Sequence, residues 1–420
     1  MDSLYRQDLE FAGAAIEDGS VFLQSKEEAW GFDFQDLAWE CTQRLPTIAS
    51  EHEFWLLLRE LVAGLHDSHA GVLLPGSAQK RRRFGLPFNL ANLAGAYYVA
   101  GLRDLVSPGE ELAVGDEVLA IGGFSMSELQ QLYLRYTGIC REGILPVRLA
   151  RSVHLVFNDL LPGVDFAAPL QVDLASPGGQ HRTCQVAWAP LPAGLVQGPG
   201  DAFSHCWLSQ RPGIACLRVR DYFFPQPKER QVAVSRLETI FADLRLAAGV
   251  VVDLRGSGGG SFPLMKALVS RLIQEPVPNF KRRWLVSDTF VKYHEWGHRF
   301  GSGRRLTEWM CDGWGDQAEI APAEGPRLSR GVALVVLTDS WTFSRSEALV
   351  QLLREAGLAS SLGETTGGGY GLPLQLSLPG TGCSLWYSVG EGRSPQGFDI
   401  EGQGITPDFP VSLGLVTSDN

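Results

Sequence analysis

The chain has 420 residues, of which 45% are hydrophobic and 20% are charged, as in a globular protein with room for two or three domains. Its net charge of -11 argues against nucleic-acid binding, which depends on clustered lysine and arginine. The seven cysteines are scattered singly. This pattern argues against a disulfide framework and against a cysteine-ligated zinc site.

The N-terminus, Met1-Asp2-Ser3, lacks the basic and apolar regions of a secretory signal. No later segment has the roughly 18 uncharged apolar residues that a membrane-spanning helix needs. We therefore expect a cytoplasmic protein that binds neither membranes nor nucleic acid.

Residues 1–80 are predicted to form a helical N-terminal segment. Within it, the stretch from Glu51 to Leu65 places Phe54, Leu58 and Leu61 at helical spacing. A short apolar run from 70 to 74 follows and is typical of a strand.

Residues 81–190 contain short β-like runs broken by glycine, which indicates a small separate domain. One helix is expected from Ser125 to Tyr136, because Ser125 and Glu128 have the spacing of a capping box. Residues 191–212 are the linker candidate, since Leu191 to Asp201 contains five glycine or proline residues.

Residues 213–420 alternate between strands and helices, which predicts an α/β domain with a parallel sheet. The predicted strands are 214–219, 250–254 and 332–337, and the predicted helices are 228–247, 263–273 and 346–356. Ligands of such sheets bind at the turns that follow the carboxyl ends of the strands.

The first such turn is rich in glycine and ends in Gly258, Gly259 and Gly260. The backbone N–H groups of a turn like this can bind a phosphate or a developing oxyanion. A tight crossover turn without a ligand explains the glycines equally well. The turn has neither the spacing of a Rossmann fingerprint nor the ending of a Walker loop.

Ser344 lies in the second turn, just before a predicted helix. The helix dipole favours a reactive serine there, and the N–H of Arg345 can bond an oxyanion. Ser344 and Glu347 also have the spacing of a capping box, so a purely structural helix cap is the alternative.

A nucleophilic serine needs a base and a group that orients the base. His69 is the candidate base, because it lies on a loop between a predicted helix and a predicted strand. Glu401, in a polar turn near the C-terminus, is the candidate orienting group. The structural alternatives are a packed or capping histidine and a solvated turn carboxylate.

A competing motif, His-Glu-x-x-His, is formed by His294, Glu295 and His298. On a helix, the two histidines would bind zinc and Glu295 would act as the base of a metallopeptidase. Glycines at 297, 301 and 303 each cost about 1 kcal/mol in a helix interior, and Arg304 occupies the position of the third ligand in the longer motif. Two histidines on a polar, glycine-rich loop are the alternative.

Six motifs follow one another along the chain: Asp67-x-His69, Gly115-Asp116-Glu117-Val118-Leu119-Ala120-Ile121-Gly122-Gly123, Asp253-Leu254-Arg255-x-x-Gly258-Gly259, Ser344-x-x-Glu347, Gly363-Glu364-x-Thr366, and Glu401-Gly402-x-Gly404-Ile405-x-Pro407-Asp408. Their order resembles that of the C-terminal processing (tail-specific) serine peptidases. The tail-specific branch places a catalytic lysine where this chain has Gly369. The resemblance is therefore closer to the branch of the tricorn core protease and the chlamydial protease-like activity factor, which uses serine, histidine and glutamate.

This resemblance implies a crotonase-like (ClpP/crotonase) β-α superhelix over residues 213–420, a PDZ-like domain over 81–190, and a catalytic histidine carried by the helical segment 1–80. It implies Ser344 as nucleophile, His69 as base and Glu401 as the group that orients the base. The N–H groups of Gly259 and Arg345 would form the oxyanion hole.

The same resemblance implies a serine endopeptidase that acts on polypeptides, needs no cofactor or metal and can form a homo-oligomer. The loop from Phe84 to Phe88 resembles the carboxylate-binding loop of PDZ domains, which suggests recognition of a polypeptide end. A non-catalytic peptide-binding or ligand-binding protein of the same fold is the alternative from another functional class.

Overall fold

The computed structural model describes residues 2–73, 83–103, 112–191, 198–312 and 318–411. The predicted boundary at residue 80 and part of the predicted linker, residues 192–197, lie outside them. Among the described helices, none is long and apolar enough to cross a membrane.

The N-terminal segment is helical, as its apolar spacing predicts. Its elements are α1 (Asp2–Gly19), α2 (Leu23–Trp30), α3 (Phe34–Arg44), α4 (Glu51–Ala63) and β1 (Gly71–Leu73). Helix α4 begins at Ser50, whose side chain accepts the N–H of Glu53. The predicted apolar face of α4 is buried, including Phe54, Leu58 and Leu61.

The next group of elements forms a six-stranded antiparallel sheet, a separate pair made by its first and last strands, and two helices. These elements are β2 (Phe84–Gly85), β3 (Phe88–Leu93), β4 (Ala96–Leu102), β5 (Glu117–Ile121), β6 (Phe124–Ser125), α5 (Met126–Tyr136), α6 (Leu145–Leu155), β7 (Leu170–Ala175), β8 (His181–Val186) and β9 (Ala189–Pro190). The predicted capping box of α5 is present, with Ser125 and Glu128 bonded reciprocally. This group has a hydrophobic core of its own.

The remainder of the chain alternates between strands and helices. Its elements are β10 (Phe203–Trp207), β11 (Ile214–Val219), α7 (Pro227–Leu244), β12 (Gly249–Asp253), α8 (Phe262–Leu272), β13 (Val277–Pro278), β14 (Lys281–Val286), α9 (Asp288–Tyr293), β15 (Arg305–Leu306), β16 (Met310–Cys311), β17 (Glu319–Ile320), β18 (Ala333–Thr338), α10 (Arg345–Glu355), β19 (Ala359–Gly363), β20 (Leu372–Ser377), β21 (Ser384–Arg393) and β22 (Phe409–Pro410). The six predicted strands and helices of this region lie close to β11, α7, β12, α8, β18 and α10.

The central sheet has the strand order β10-β11-β12-β18-β19-β22. Its strands are parallel except for β10, which is antiparallel to β11 at one edge. Helices α7, α8 and α10 share one hydrophobic core with these strands. The predicted mixed α/β class with a parallel sheet is confirmed.

A second sheet joins a strand from the N-terminal segment to strands from the C-terminal half of the chain. Strand β1 pairs with β21, and β21 pairs with β14 and β20, all antiparallel. Helices α1 to α4 pack on this sheet and share its core. As a result, the loop between α4 and β1 lies against the C-terminal half of the chain.

Candidate active site

Ser344 lies between β18 and α10 in an unusual backbone conformation, with φ 55° and ψ -120°. A positive φ is uncommon for a residue other than glycine, and such strain concentrates at functional sites. The conformation is held by Glu347, whose carboxylate accepts the Ser344 N–H at 2.8 Å. The predicted capping contact of Glu347 is therefore present and positions the serine.

His69 approaches Ser344 from the loop after α4. Its Nε2 lies 3.1 Å from the Ser344 Oγ, within hydrogen-bond distance. Asp67 holds the loop, because one carboxylate oxygen accepts the His69 N–H at 2.8 Å and the other accepts the Ser388 N–H at 2.9 Å. The structure thus brings together a hydroxyl and an imidazole that lie 275 residues apart in the chain.

Burial lowers the pKa of His69 to about 4, although the charge of Asp67 acts in the opposite direction. The imidazole is therefore neutral at neutral pH and can accept a proton from Ser344. Its other nitrogen, Nδ1, is buried and has no hydrogen-bond partner within the described residues.

The Phe343 ring supports the imidazole, with ring centroids 4.7 Å apart in a stacked arrangement. This ring fits because Gly367 and Gly369 have no side chains, and a Cβ at either position would overlap it. The position where the tail-specific branch has its lysine is thus filled by Phe343. A side chain at 369 would have to displace the Phe343 ring.

Glu401 is not hydrogen-bonded to His69 in this structure. One of its carboxylate oxygens lies 2.9 Å from the Lys26 Nζ, and the other accepts the Tyr370 N–H at 2.8 Å. Burial raises the pKa of Glu401 to about 7, and the charge of Lys26 opposes this rise. The structure therefore brings Ser344 and His69 together directly, whereas Glu401 forms an ion pair.

Lys26 has no counterpart in the sequence-based prediction. Burial alone would lower the pKa of its ammonium, but the charge and hydrogen bond of Glu401 help to raise it. Glu401 is a candidate from its polar turn, and the family resemblance implies its orienting role. Nothing local in α2 signals that its single lysine reaches a carboxylate 375 residues later.

Gly259 lies against the start of α10, as an oxyanion site requires. A Cβ on Gly259 would lie 2.8 Å from the Arg345 N and 3.2 Å from the Ser344 Cβ. Two contacts hold the glycine turn: the Gly258 N–H donates to Asp221 at 2.5 Å, and the Gly259 carbonyl accepts the Tyr222 N–H at 2.8 Å. The two predicted oxyanion residues are therefore neighbours of each other and of Ser344.

The Arg345 side chain takes part in a buried ion-pair network. Its guanidinium bonds both carboxylate oxygens of Asp312 and the Tyr370 hydroxyl, the latter at 3.0 Å. Arg282 lies 2.6 Å from the same Asp312. This network anchors the first turn of α10, and the sequence motifs gave no sign of it.

The His-Glu-x-x-His motif lies elsewhere and is not helical across its length. Helix α9 ends at Tyr293, and His294 follows in extended backbone. The His294 ring stacks on Phe290 with centroids 4.4 Å apart, and its Nδ1 accepts the Trp296 N–H at 3.1 Å. The described residues contain no cluster of three or more His, Cys, Asp or Glu side chains arranged to hold a metal. The helical geometry that the zinc alternative requires is not present.

Residues 214–411 match the family model of peptidase family S41. The chain contains a peptidase family S41 domain. This domain includes Ser344, Gly259 and Glu401, whereas His69 reaches it from outside the matched residues. The family predicted from the six motifs is confirmed, and with it the enzyme class, a serine peptidase.

Solved structures share the fold beyond the S41 domain. The structure of mature CPAF superposes with a TM-score of 0.73 at 18% identity, covering 97% of this chain and 92% of that one. The photosystem II D1 C-terminal processing protease superposes with a TM-score of 0.50 at 19% identity, covering 97% of this chain and 93% of that one. At these identities the likeness establishes the fold alone. The sequence matches no curated protein.

Proposed function

We propose that this protein is a serine endopeptidase whose nucleophile is Ser344 and whose general base is His69. The observation that carries the proposal is the 3.1 Å contact between the Ser344 Oγ and the His69 Nε2. A nucleophile and a base within hydrogen-bond distance are the minimal machinery for acyl transfer. The strained backbone of Ser344 supports the same assignment, and burial keeps the His69 imidazole neutral and able to accept a proton.

The reaction proceeds through an acyl-enzyme. Ser344 Oγ attacks the carbonyl carbon of the scissile peptide bond while His69 Nε2 takes the hydroxyl proton. The protonated imidazole then donates that proton to the leaving amine. Water then attacks the ester carbonyl while His69 takes one of its protons. The imidazolium returns that proton to the Ser344 Oγ as the ester bond breaks, which releases the acid product and restores the free serine.

The oxyanion of each tetrahedral intermediate would be bound by the backbone N–H groups of Gly259 and Arg345. Supporting this role, Gly259 lies directly against the Arg345 N, and the Asp221 and Tyr222 contacts fix the glycine turn. Fixed donors of this kind need no reorganisation as charge develops in the transition state. Removal of one such donor typically costs about 3 kcal/mol of transition-state stabilisation.

Glu401 is proposed as the third group of the site, with the orienting role that the family resemblance implies, although its carboxylate bonds Lys26 and the Tyr370 N–H and not His69. Its ion pair with Lys26 opposes the effect of burial and so favours an ionised carboxylate. The orienting role expected from the family resemblance then depends on Lys26 as a positioning residue.

The wider architecture is proposed to follow the same relatives. Residues 213–420 would form a crotonase-like superhelix, 191–212 a linker, 81–190 a PDZ-like domain, and 1–80 the helical segment that carries His69. A cavity of about 310 Å³ between β3 and α6 supports the PDZ-like proposal. Its lining includes Leu86, Leu90 and Arg103, an apolar and basic combination suited to a polypeptide end.

A fluorophosphonate probe, which reacts with activated serines, tests the proposal. We expect the wild-type protein to be labelled and Ser344→Ala to be unlabelled and unable to cleave a peptide library, with its fold intact by circular dichroism. Ser340→Ala is the matched control from the same turn, because its buried hydroxyl has no partner within the described residues.

Labelling and cleavage by a folded Ser344→Ala protein at the wild-type rate would refute the assignment. A folded wild-type protein that binds peptides but neither reacts with the probe nor cleaves would instead support the non-catalytic binding protein.

A further inference from the structure

Two cysteines lie directly opposite each other at the edge of the central sheet. Cys206 on β10 is the cross-strand partner of Cys216 on β11 in the antiparallel register. Both side chains are free thiols. Because side chains alternate along a strand, residues in register point to the same face of the sheet.

The backbone register brings the two Cα atoms within reach of a disulfide. In an antiparallel pair, every second pair of facing residues is hydrogen-bonded. Two such pairs flank the cysteines: the Leu208 N–H donates to the Ile214 carbonyl, and the Arg220 N–H donates to the Ala202 carbonyl. Cys206 and Cys216 form another such pair, for which the Cα atoms are about 5.5 Å apart. This separation lies within the range of about 4.4 to 6.8 Å that a disulfide spans. The Cβ atoms of a hydrogen-bonded pair are farther apart than the roughly 3.5 to 4.5 Å of a relaxed disulfide, so closing the bond requires a local shift of the edge strand and leaves a bond that is easily reduced.

The thiols face away from the hydrophobic core. Their neighbours Ala215 and Leu217 are buried on the helix-covered face, whereas Cys206 is exposed and Cys216 is half-buried. Small oxidants can therefore reach the pair. No other cysteine of the chain is exposed.

We infer that Cys206 and Cys216 are a redox modification site that forms a reversible cross-strand disulfide with a low-molecular-weight disulfide such as oxidised glutathione as the oxidant. The link would fasten the edge strand β10 to β11. Strand β11 leads directly into Asp221 and Tyr222, whose hydrogen bonds hold the turn that contains Gly258 and Gly259. The site is separate from Ser344 and is detected without measuring peptide cleavage.

The exchange takes place in two balanced steps. The exposed Cys206 loses its proton and attacks a sulfur of oxidised glutathione, which releases one glutathione and leaves a mixed disulfide. Cys216 then loses its proton and attacks the Cys206 sulfur, which releases the second glutathione. Burial raises the pKa of Cys216, and the nearby Asp253 and Cys206 add to this, so Cys216 ionises less readily than an ordinary thiol and reacts only in the second, intramolecular step.

The test exposes the fully reduced, folded wild-type protein to oxidised glutathione, quenches with acid and maps the peptides by mass spectrometry. We expect a cross-linked peptide that joins Cys206 to Cys216, and two thiols fewer than the seven of the reduced chain. Dithiothreitol should restore all of them. Cys216→Ser should stop at a glutathione adduct on Cys206, and Cys311→Ser, the control at another half-buried cysteine, should cross-link like the wild type.

Three results would overturn the inference. These are retention of all seven thiols, a persistent glutathione adduct on Cys206 of the wild type, and equal disulfide formation in Cys206→Ser. Circular dichroism before the quench shows that each variant is folded, so a failure to cross-link is not a failure to fold.

Discussion

The Lys26 ammonium lies 2.9 Å from a carboxylate oxygen of Glu401, and this pair connects helix α2 to the turn after β21. Both side chains are almost fully enclosed, at 7% and 6% exposure. An enclosed carboxylate without its cation would take up a proton instead of staying charged. The N-terminal helices therefore contribute to the electrostatics of the proposed active site as well as to its scaffold.

Lys26→Met should destabilise the protein in a pH-dependent way. Removing one partner of a buried ion pair typically costs about 3 to 5 kcal/mol while the other partner stays charged. The folded-state pKa of Glu401, raised to about 7 even with Lys26 present, should rise further without it. An acid whose folded pKa lies above its unfolded value stabilises the fold at low pH, and this contribution is lost as pH rises through the folded pKa.

Urea unfolding of Lys26→Met at pH 6 and pH 8 checks this prediction. We expect a larger loss of unfolding free energy at pH 8 than at pH 6, together with slower peptide cleavage at neutral pH. Lys292→Met, which removes an exposed lysine, is the control and should change little. An equal loss at the two pH values would show that Lys26 does not govern the ionisation of Glu401.

His69→Ala should lower kcat by about 10⁴-fold or more, because it removes the base bonded to Ser344. His66→Ala is the matched control from the same loop. The His66 ring stacks on Trp30 with centroids 3.7 Å apart and lies 3.3 Å from the Ile139 carbonyl, so its loss should cost stability, about 1 to 2 kcal/mol, and leave turnover near normal. The opposite pattern in single-turnover assays would make His66 the base.

The pH dependence of kcat/KM should report the buried state of His69. Its pKa is lowered from 6.5 to about 4 by burial, so the base stays neutral, and activity persists, well below pH 6.5. The free energy of unfolding also depends on the ionisation of His69. In the unfolded chain this imidazole binds a proton below about pH 6.5, whereas in the folded protein it does so only near its lowered pKa. The free energy of unfolding should therefore fall as pH drops from 6.5 toward 4. An activity limb centred at 6.5 in the free enzyme would contradict this.

Gly369→Ala should impair catalysis through Phe343. The added Cβ would overlap the Phe343 ring, and overpacking of this kind typically costs about 1 to 3 kcal/mol. Displacement of that ring would disturb both the stacked His69 and the adjacent Ser344. We expect a lower kcat in a folded protein, measured with a cleavable peptide.

The control is Gly325→Ala, since no atom lies within 4 Å of the Cβ it would add. Gly369→Ala/Phe343→Leu should regain part of the fold stability lost in the single variant, because leucine leaves room for the new methyl group. A fully active Gly369→Ala protein would show that Phe343 does not need its present position.

Local patterns predicted three of the six strands of the central sheet and the helices that cover it, because these strands are short apolar runs and the helices carry apolar faces. Strand β11 was predicted at 214–219 and lies at Ile214–Val219. The contact between Ser344 and His69 spans 275 residues and could be anticipated only from the order of family motifs. No periodicity encodes such a distance.

The residues that sequence reasoning missed are polar groups whose partners are distant in the chain. Lys26 lies on a polar helix that gives no hint of burial. Glu347 was interpreted as a helix cap, yet it also accepts the Gly368 and Gly369 N–H groups at 2.7 and 3.1 Å, which fixes the glycine segment beside Phe343. Such roles depend on tertiary packing and become visible only once the fold is known.

Chelators should leave peptide cleavage unchanged, because the proposed chemistry runs through Ser344 and His69 and the His-Glu-x-x-His motif does not form the zinc-binding helix. His298→Ala should also be neutral, since this exposed imidazole lies 3.0 Å from the Glu295 carbonyl and contacts no catalytic group. His294→Ala should instead lower stability by about 1 to 2 kcal/mol through loss of its packing on Phe290. Cleavage assays with and without a chelator, metal analysis and thermal unfolding measure the three effects. One equivalent of zinc in the purified protein, with activity lost to the chelator and restored by zinc, would replace the serine mechanism with the metal one.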